Sequence, residues 1–314
     1  MTRSNVIAAV FVSALFAALG TEAAEAQQTF LFGAYTGPGL NTEQFEAEID
    51  HTISIVGHTQ PFSGLPGKSV IEDIAAGRVP LISWGSNLSH GKSVLASDIL
   101  AGKYDQQFDQ QADVIAALKS PVIIEWQSEM TDNKRNAPFF AGIAQDKWGS
   151  TYVAVWQHIH DIFVAEGATN AQWIWSPGDN AYQTEWNGVI PCQAYFPGAD
   201  YVDWMGLHSF NKSDTPEAYD KNQEFTAFYA QAPEWAPGKP LMHSQTGATR
   251  MTNAQNEWIS TAESSLQSEF PLVRGFVYFN EDSSHPSKGR SMKYKLGGAG
   301  LTAFQAMVAD PYFQ

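Results

Sequence analysis

Eight short runs of β-forming residues, seven of them followed by a stretch suited to a helix, leave this chain few folds to choose from. The runs cover residues 31–35, 53–56, 79–84, 121–130, 172–175, 201–207, 241–245 and 275–280. Helices are expected over residues 42–49, 68–76, 106–119, 150–165, 222–230, 253–270 and 301–308, with Thr42 as the first N-cap and Gly77 and Gly167 as terminators. Residues 150–165 carry the clearest apolar stripe: Tyr152, Val155, Trp156, Ile159, Ile162 and Phe163. Alternation of this kind makes a parallel sheet with crossover helices. Eight units point to a closed (β/α)8 TIM barrel rather than an open doubly wound sheet, and no glycine-rich phosphate loop follows the first run.

Residues 1–26 read as a secretory signal: Arg3, an apolar run from Val6 to Leu19, then Ala24-Glu25-Ala26. That run is too short to span a bilayer comfortably, so a secreted or periplasmic protein is expected, with residues 27–314 as one barrel domain. The net charge of −15 argues against nucleic acid, anionic lipid and polyanionic glycans as partners. The single cysteine, Cys192, excludes an internal disulfide and reads as a structural thiol. His158 and His160 lie two apart on a helix and cannot share a face, so both read as surface or boundary residues; no metal set and no cofactor are expected.

The run from Pro121 to Met130 begins apolar and ends in carboxylates. In an extended strand Glu125, Gln127 and Glu129 would share one face and Trp126 and Ser128 the other. Polar groups ending an apolar strand need partners or a wet pocket, and in a barrel that pocket is the carboxyl-end mouth. The residues after each strand give Trp84, Glu129, Trp175, His208, Phe210, Gln245, Asn280 and Glu281. Ten tryptophans supply flat apolar faces, some of them suited to sugar rings. Glu129 reads as a general acid whose pKa a tryptophan-lined pocket would raise, or else as a buried glutamate paired with a neighbour. Glycoside cleavage needs a second carboxyl, and the seventh strand offers Gln245, which cannot ionise or form an ester.

The chain resembles glycoside hydrolase family 26, the β-mannanase-type barrels, from about Phe32 to Phe313. The likeness rests on Gly33-Ala34-Tyr35, on 80–84, on 152–163, on Gly167–Asn170 with 173–177, on Tyr195–Gly198 with 201–207, and on Phe279-Asn280. It implies a proton donor at Glu129, within an Arg-x-x-His-Glu-Met-Asn run that here reads Glu125-Trp126-Gln127-Ser128-Glu129-Met130-Thr131. The nucleophile's Glu-x-Gly reads Gln245-Thr246-Gly247. A sixth-strand tyrosine is Phe210, and the asparagine after Trp-Ser-Pro is Gly178. Scaffold motifs survive while catalytic ones change together, as in a natural divergent branch. The implied sugar contacts are Trp84, Glu125, Trp175, His208, Phe210, His243 and Asn280. Two functions stay open. One is hydrolysis of a β-linked mannan- or glucan-type polysaccharide, inverting, with Glu125, Glu281 or Asp282 as base. The other is a non-catalytic glycan-binding role, for instance in exopolysaccharide handling.

Overall fold

The computed structural model describes residues 30–313 apart from 38, 65, 89–91, 179–190, 214, 251–252 and 286–289, so the expected signal over residues 1–26 lies outside the described residues. Eight parallel strands pair in chain order: β1 (Leu31–Tyr35), β2 (Ile55–Gln60), β3 (Val79–Trp84), β4 (Val122–Trp126), β5 (Ala171–Trp175), β6 (Trp204–Asn211), β7 (Leu241–Ala248) and β8 (Val273–Phe279). β8 closes on β1 from Leu31↔Gly275 to Tyr35↔Phe279, which completes the (β/α)8 barrel. Outside it lie α1 (Thr42–Ile49), α2 (Lys68–Ala75), α3 (Ala96–Leu100), α4 (Asp105–Leu118), α6 (Trp148–Ala165), α7 (Gln223–Trp235), α8 (Ala254–Ser268) and α9 (Ala299–Val308), with a single turn, α5 (Asn133–Asn136), in the loop after β4.

Period-two alternation sorts the strand residues into two compartments. Ile55, Leu81, Ile123, Ile174, Trp204, Met242 and Val277 point inward and fill the lumen. Their neighbours Ile82, Trp84, Ile124, Trp126, Trp173 and Trp175 join the helix layer. Gly206 belongs to the lumen side, and any side chain there would meet Ser176 Oγ at 2.1 Å. The thiol of Cys192 is buried, which pushes its pKa up to about 12.

Several boundaries differ from expectation for local reasons. The cap of α1 is Asn41, not Thr42: its side chain accepts the Gln44 N–H at 2.8 Å while Gln44 Oε1 accepts the Asn41 N–H at 3.1 Å. β4 stops at Trp126 because Gln127 and Glu129 take φ of 45° and 54°. The extended run to Met130 is therefore corrected to a short strand plus a tight turn. β7 runs to Ala248 and carries one extra residue: Gly206 pairs with Met242 but His208 with Gln245, so two residues of β6 span three of β7. A hairpin that the strand count omitted, β9 (Asp282–His285) with β10 (Arg290–Lys293), follows β8.

Candidate active site

Above the apolar lumen the inward positions turn polar. Ser83, Glu125, Ser176, His208 and Ser244 come from five different strands or strand ends and form a floor under the mouth. Ser244 Oγ donates to Ser176 Oγ at 2.9 Å, and the hydroxyls of Ser83 and Ser128 lie 3.5 Å apart. Glu125 is 1% exposed. One of its oxygens, Oε1, accepts from His208 Nε2 at 2.9 Å; the other makes no hydrogen bond of ordinary length, although Ser176 and Ser83 lie near it. Burial pushes the Glu125 carboxyl up, but the charge and hydrogen bond of His208 outweigh it and hold the group below its ordinary value.

The other nitrogen of His208, Nδ1, lies 3.2 Å from Glu129 Oε1. Arg135, on α5, ion-pairs with Glu129 Oε2. The Glu129 side chain keeps 29% of its surface exposed, whereas that of His208 keeps 3%. Burial pulls Glu129 upward, but His208 and then Arg135 hold it well below the usual carboxylate range. This corrects the expectation of a raised pKa in a tryptophan-lined pocket: the tryptophans face the other way, and cations face the carboxyl. Burial alone would lower His208, yet Glu125 and Glu129 lift it to about 9.

The turn that presents Glu129 is held on every side. Gln127, 6% exposed, accepts the Ser86 N–H at 2.7 Å and donates to Asn136 Oδ1 at 2.6 Å. Asn136 in turn donates to the carbonyls of Glu129 and Asp132, each at 2.9 Å. The Glu129 N–H donates to the Ser176 carbonyl at 3.0 Å. Two non-glycine residues with positive φ, two positions apart, are kept in place by these bonds. Gly178 backs the side chain: a Cβ there would stand 2.9 Å from Glu129 Cγ. The asparagine implied by the resemblance could not occupy that position without moving the carboxyl.

Gln245 is half-buried and sits beside His208 as its register partner on β7. Glu129 thus meets the His208 ring directly, and Gln245 is paired with His208 along the backbone. Phe210 is also half-buried at this end, packed on Tyr294 at 4.8 Å and Phe279 at 5.7 Å. Of the expected bases, Glu125 is sealed in the floor and Asp282 is paired to Arg250 at 2.6 Å. Glu281 follows β8, which is diametrically across the barrel from β4, and rests against Gly37.

Four expected sugar contacts fall elsewhere. Trp84 is 3% exposed and donates its indole N–H to the Phe62 carbonyl at 3.2 Å; its ring meets Trp126 at 4.8 Å and Phe108 at 5.7 Å. Trp175 is fully buried against Phe196 and Trp235. His243 faces α7, its ring 4.2 Å from that of Phe225, and burial pushes its pKa down to about 3. Asn280 is 2% exposed and accepts the Leu296 N–H at 2.7 Å, so it ties the loop after β10 to the barrel. All four point outward or brace a loop and cannot touch a ligand in the mouth. Sequence reasoning also passed over Arg135, Asn136 and the floor serines. Arg135 and Asn136 sit in a loop without periodicity, whereas Ser83, Ser176 and Ser244 each stand at an inward position one residue from an outward one.

The sequence pattern of glycosyl hydrolase family 26 matches residues 92–270, more than half the chain. The chain belongs to glycosyl hydrolase family 26. Endoglucanase H of Acetivibrio thermocellus is 28% identical over 135 residues, which are 42% of this chain and 14% of that enzyme; the chain thus spans a small fraction of that relative's length. The catalytic domain of a GH26 endo-β-1,4-mannanase from Bacillus sp. JAMB-750 superimposes with a TM-score of 0.63 at 17% identity, covering 91% of this chain and 87% of that one. A GH26 β-mannanase from Bacteroides ovatus gives 0.63 at 16% identity, over 91% and 90%. At such identities the structural likeness shows a shared barrel. Family 26 membership makes this a glycoside-hydrolase-type protein, and the mouth of the barrel is where its chemistry belongs.

Proposed function

We propose that this family 26 protein hydrolyses O-glycosidic bonds in a β-linked polysaccharide of the mannan or glucan type, outside the cytoplasm, with Glu129 passing the proton to the leaving oxygen. The observation that carries it is Glu129 itself: a partly exposed carboxyl at the end of β4, held by a strained and fully bonded turn. The substrate class is inherited from the relatives named as endoglucanase and mannanases. Gln245 stands where the resemblance implies a nucleophile, so a covalent glycosyl ester has no acceptor and inversion is the outcome expected. Glu281, across the mouth from β4, is the base for the attacking water.

The experiment incubates pure protein with β-1,4-mannan, glucomannan and mixed-linkage β-glucan and follows new reducing ends and their anomeric form. Cleavage with inversion that disappears in Glu129→Ala and in Glu281→Ala supports the proposal. No cleavage of any of the three ends it. A second reading draws on the Arg135–Glu129 ion pair together with the amide at Gln245: the mouth holds a glycan without cutting it. Saturable binding of mannan or glucan oligosaccharides without reducing ends would favour that role.

A further inference from the structure

We infer that the Glu125–His208 pair stores the proton that Glu129 delivers to the leaving group. The inference rests on the hydrolytic reading of the site and follows from counting protons. Both ring nitrogens of His208 face a carboxylate oxygen at hydrogen-bond distance, 2.9 Å to Glu125 and 3.2 Å to Glu129. A neutral imidazole has one N–H and an ionised carboxylate has none. With one proton in the array, a ring lone pair would face a carboxylate lone pair, in a place where His208 and Glu125 are each nearly sealed from water. The array therefore holds two protons among three groups.

Only one of those protons has a way out. Glu125 anchors the Nε2 side and is closed off by the serine floor. Glu129 is the one member with an exposed edge. The charged and titratable groups facing the array are Glu125 from β4, Glu129 and Arg135 from the segment that follows, and Tyr152 from α6, whose hydroxyl donates to the Trp126 carbonyl at 3.1 Å. The neighbours from β3, β5 and β7 are neutral: Ser83, Ser176, Ser244 and Gln245.

In the step itself the Nδ1–H bond of His208 breaks, its electron pair stays on the ring, and the proton joins Glu129 Oε1. Glu129 gives that proton to the glycosidic oxygen as the C1–O bond breaks. Water adds its hydroxyl to C1 and loses a proton to the base. His208 is left neutral, still donating through Nε2 to Glu125, and regains its proton from solvent by way of Glu129. His208 acts through Glu129 and is a positioning residue; its buried ring does not touch the sugar.

The test compares two leaving groups in the full chain. His208→Gln should slow hydrolysis of mannohexaose or cellohexaose by ~10²–10⁴-fold, the range of general acid catalysis. It should slow 2,4-dinitrophenyl β-mannobioside or β-cellobioside, which need no protonation, by less than ~10-fold. Equal losses on both would overturn the inference, because a merely structural role does not sort substrates by leaving group. Glu125→Gln, nearly isosteric, serves if His208→Gln does not fold, and should show the same split with an alkaline limb moved to lower pH. Nitrogen-15 NMR of the His208 ring in the unliganded protein is independent of turnover. Two protonated nitrogens at pH 7 with a midpoint near 9 support the proton store, and a neutral ring at pH 7 refutes it. If neither the hexasaccharides nor the aryl glycosides are cleaved, the hydrolytic reading fails, and the NMR result still decides whether the store exists.

Discussion

Removing the side chain of Asn136 should release Glu129 from its working position while leaving the barrel folded. Asn136 is fully buried and makes three hydrogen bonds, one accepted from Gln127 and two donated to the Glu129 and Asp132 carbonyls. At ~1 kcal/mol each these are worth roughly 3 kcal/mol. Against them stand two non-glycine residues in the left-handed region, Gln127 and Glu129, costing on the order of 1 kcal/mol apiece. The bonds exceed the strain by about 1 kcal/mol, so deleting them reverses the balance and the turn relaxes. Because the relaxed turn also sheds its strain, the net loss is about 1 kcal/mol, and Asn136→Ala should lower Tm by only ~2 °C in a domain of this size. A carboxyl displaced by even 1 Å should cost about 10²-fold in kcat/KM. A double-mutant cycle with Gln127→Ala, followed by thermal melts and hydrolysis rates, should give a coupling above ~1 kcal/mol. Additive effects with turnover unchanged would refute the balance drawn here.

Trp84→Ala should cost ~3–5 kcal/mol of stability, as large buried aromatic truncations do, while any oligosaccharide Kd measured on the folded fraction stays within ~2-fold. The Tm difference between wild type and Glu129→Gln should be greatest between pH ~4.5 and ~6.5. Glu129 has a lowered folded pKa, so its contribution is complete above the unfolded value and fades as pH falls; His208 is raised to about 9, so its contribution is complete below 6.5 and fades as pH rises through 9. A difference that keeps growing from pH 7 to 10 would contradict this. His243, lowered to about 3 by burial, should destabilise the fold by about 1.4 kcal/mol per pH unit as pH drops below 6.5. His243→Leu should flatten that acid limb in a melt series.

The barrel was legible because each strand announces itself locally, by a β-branched or aromatic run between turn residues, and the closure follows from counting eight. Glu129 was legible as the polar end of an apolar strand. Its ionisation was not, because that depends on His208, 79 residues away, and on Arg135 in an aperiodic loop. Alternation put Trp84 and Trp126 on one side and Ser83 and Glu125 on the other, but period two alone does not say which side is the lumen. The inward side carries the large apolar residues Leu81, Ile123, Ile174 and Trp204 low in the barrel and turns small and polar only at the mouth, so polarity alone does not mark it. The Asp282 and Asn280 assignments failed for a different reason: their partners, Arg250 and Leu296, belong to segments that strand-end counting does not see.

The supernumerary residue in β7 carries a consequence for how this surface diversifies. Because two positions of β6 span three of β7, the residue paired with His208 is chosen by arithmetic along the backbone as well as by the codon at 245. A regular strand beyond Met242 would pair Ser244, not Gln245, with His208 and leave the cylinder below as it is. In such an architecture a chemical partner can be exchanged by a slip of register, a route that point substitution does not offer.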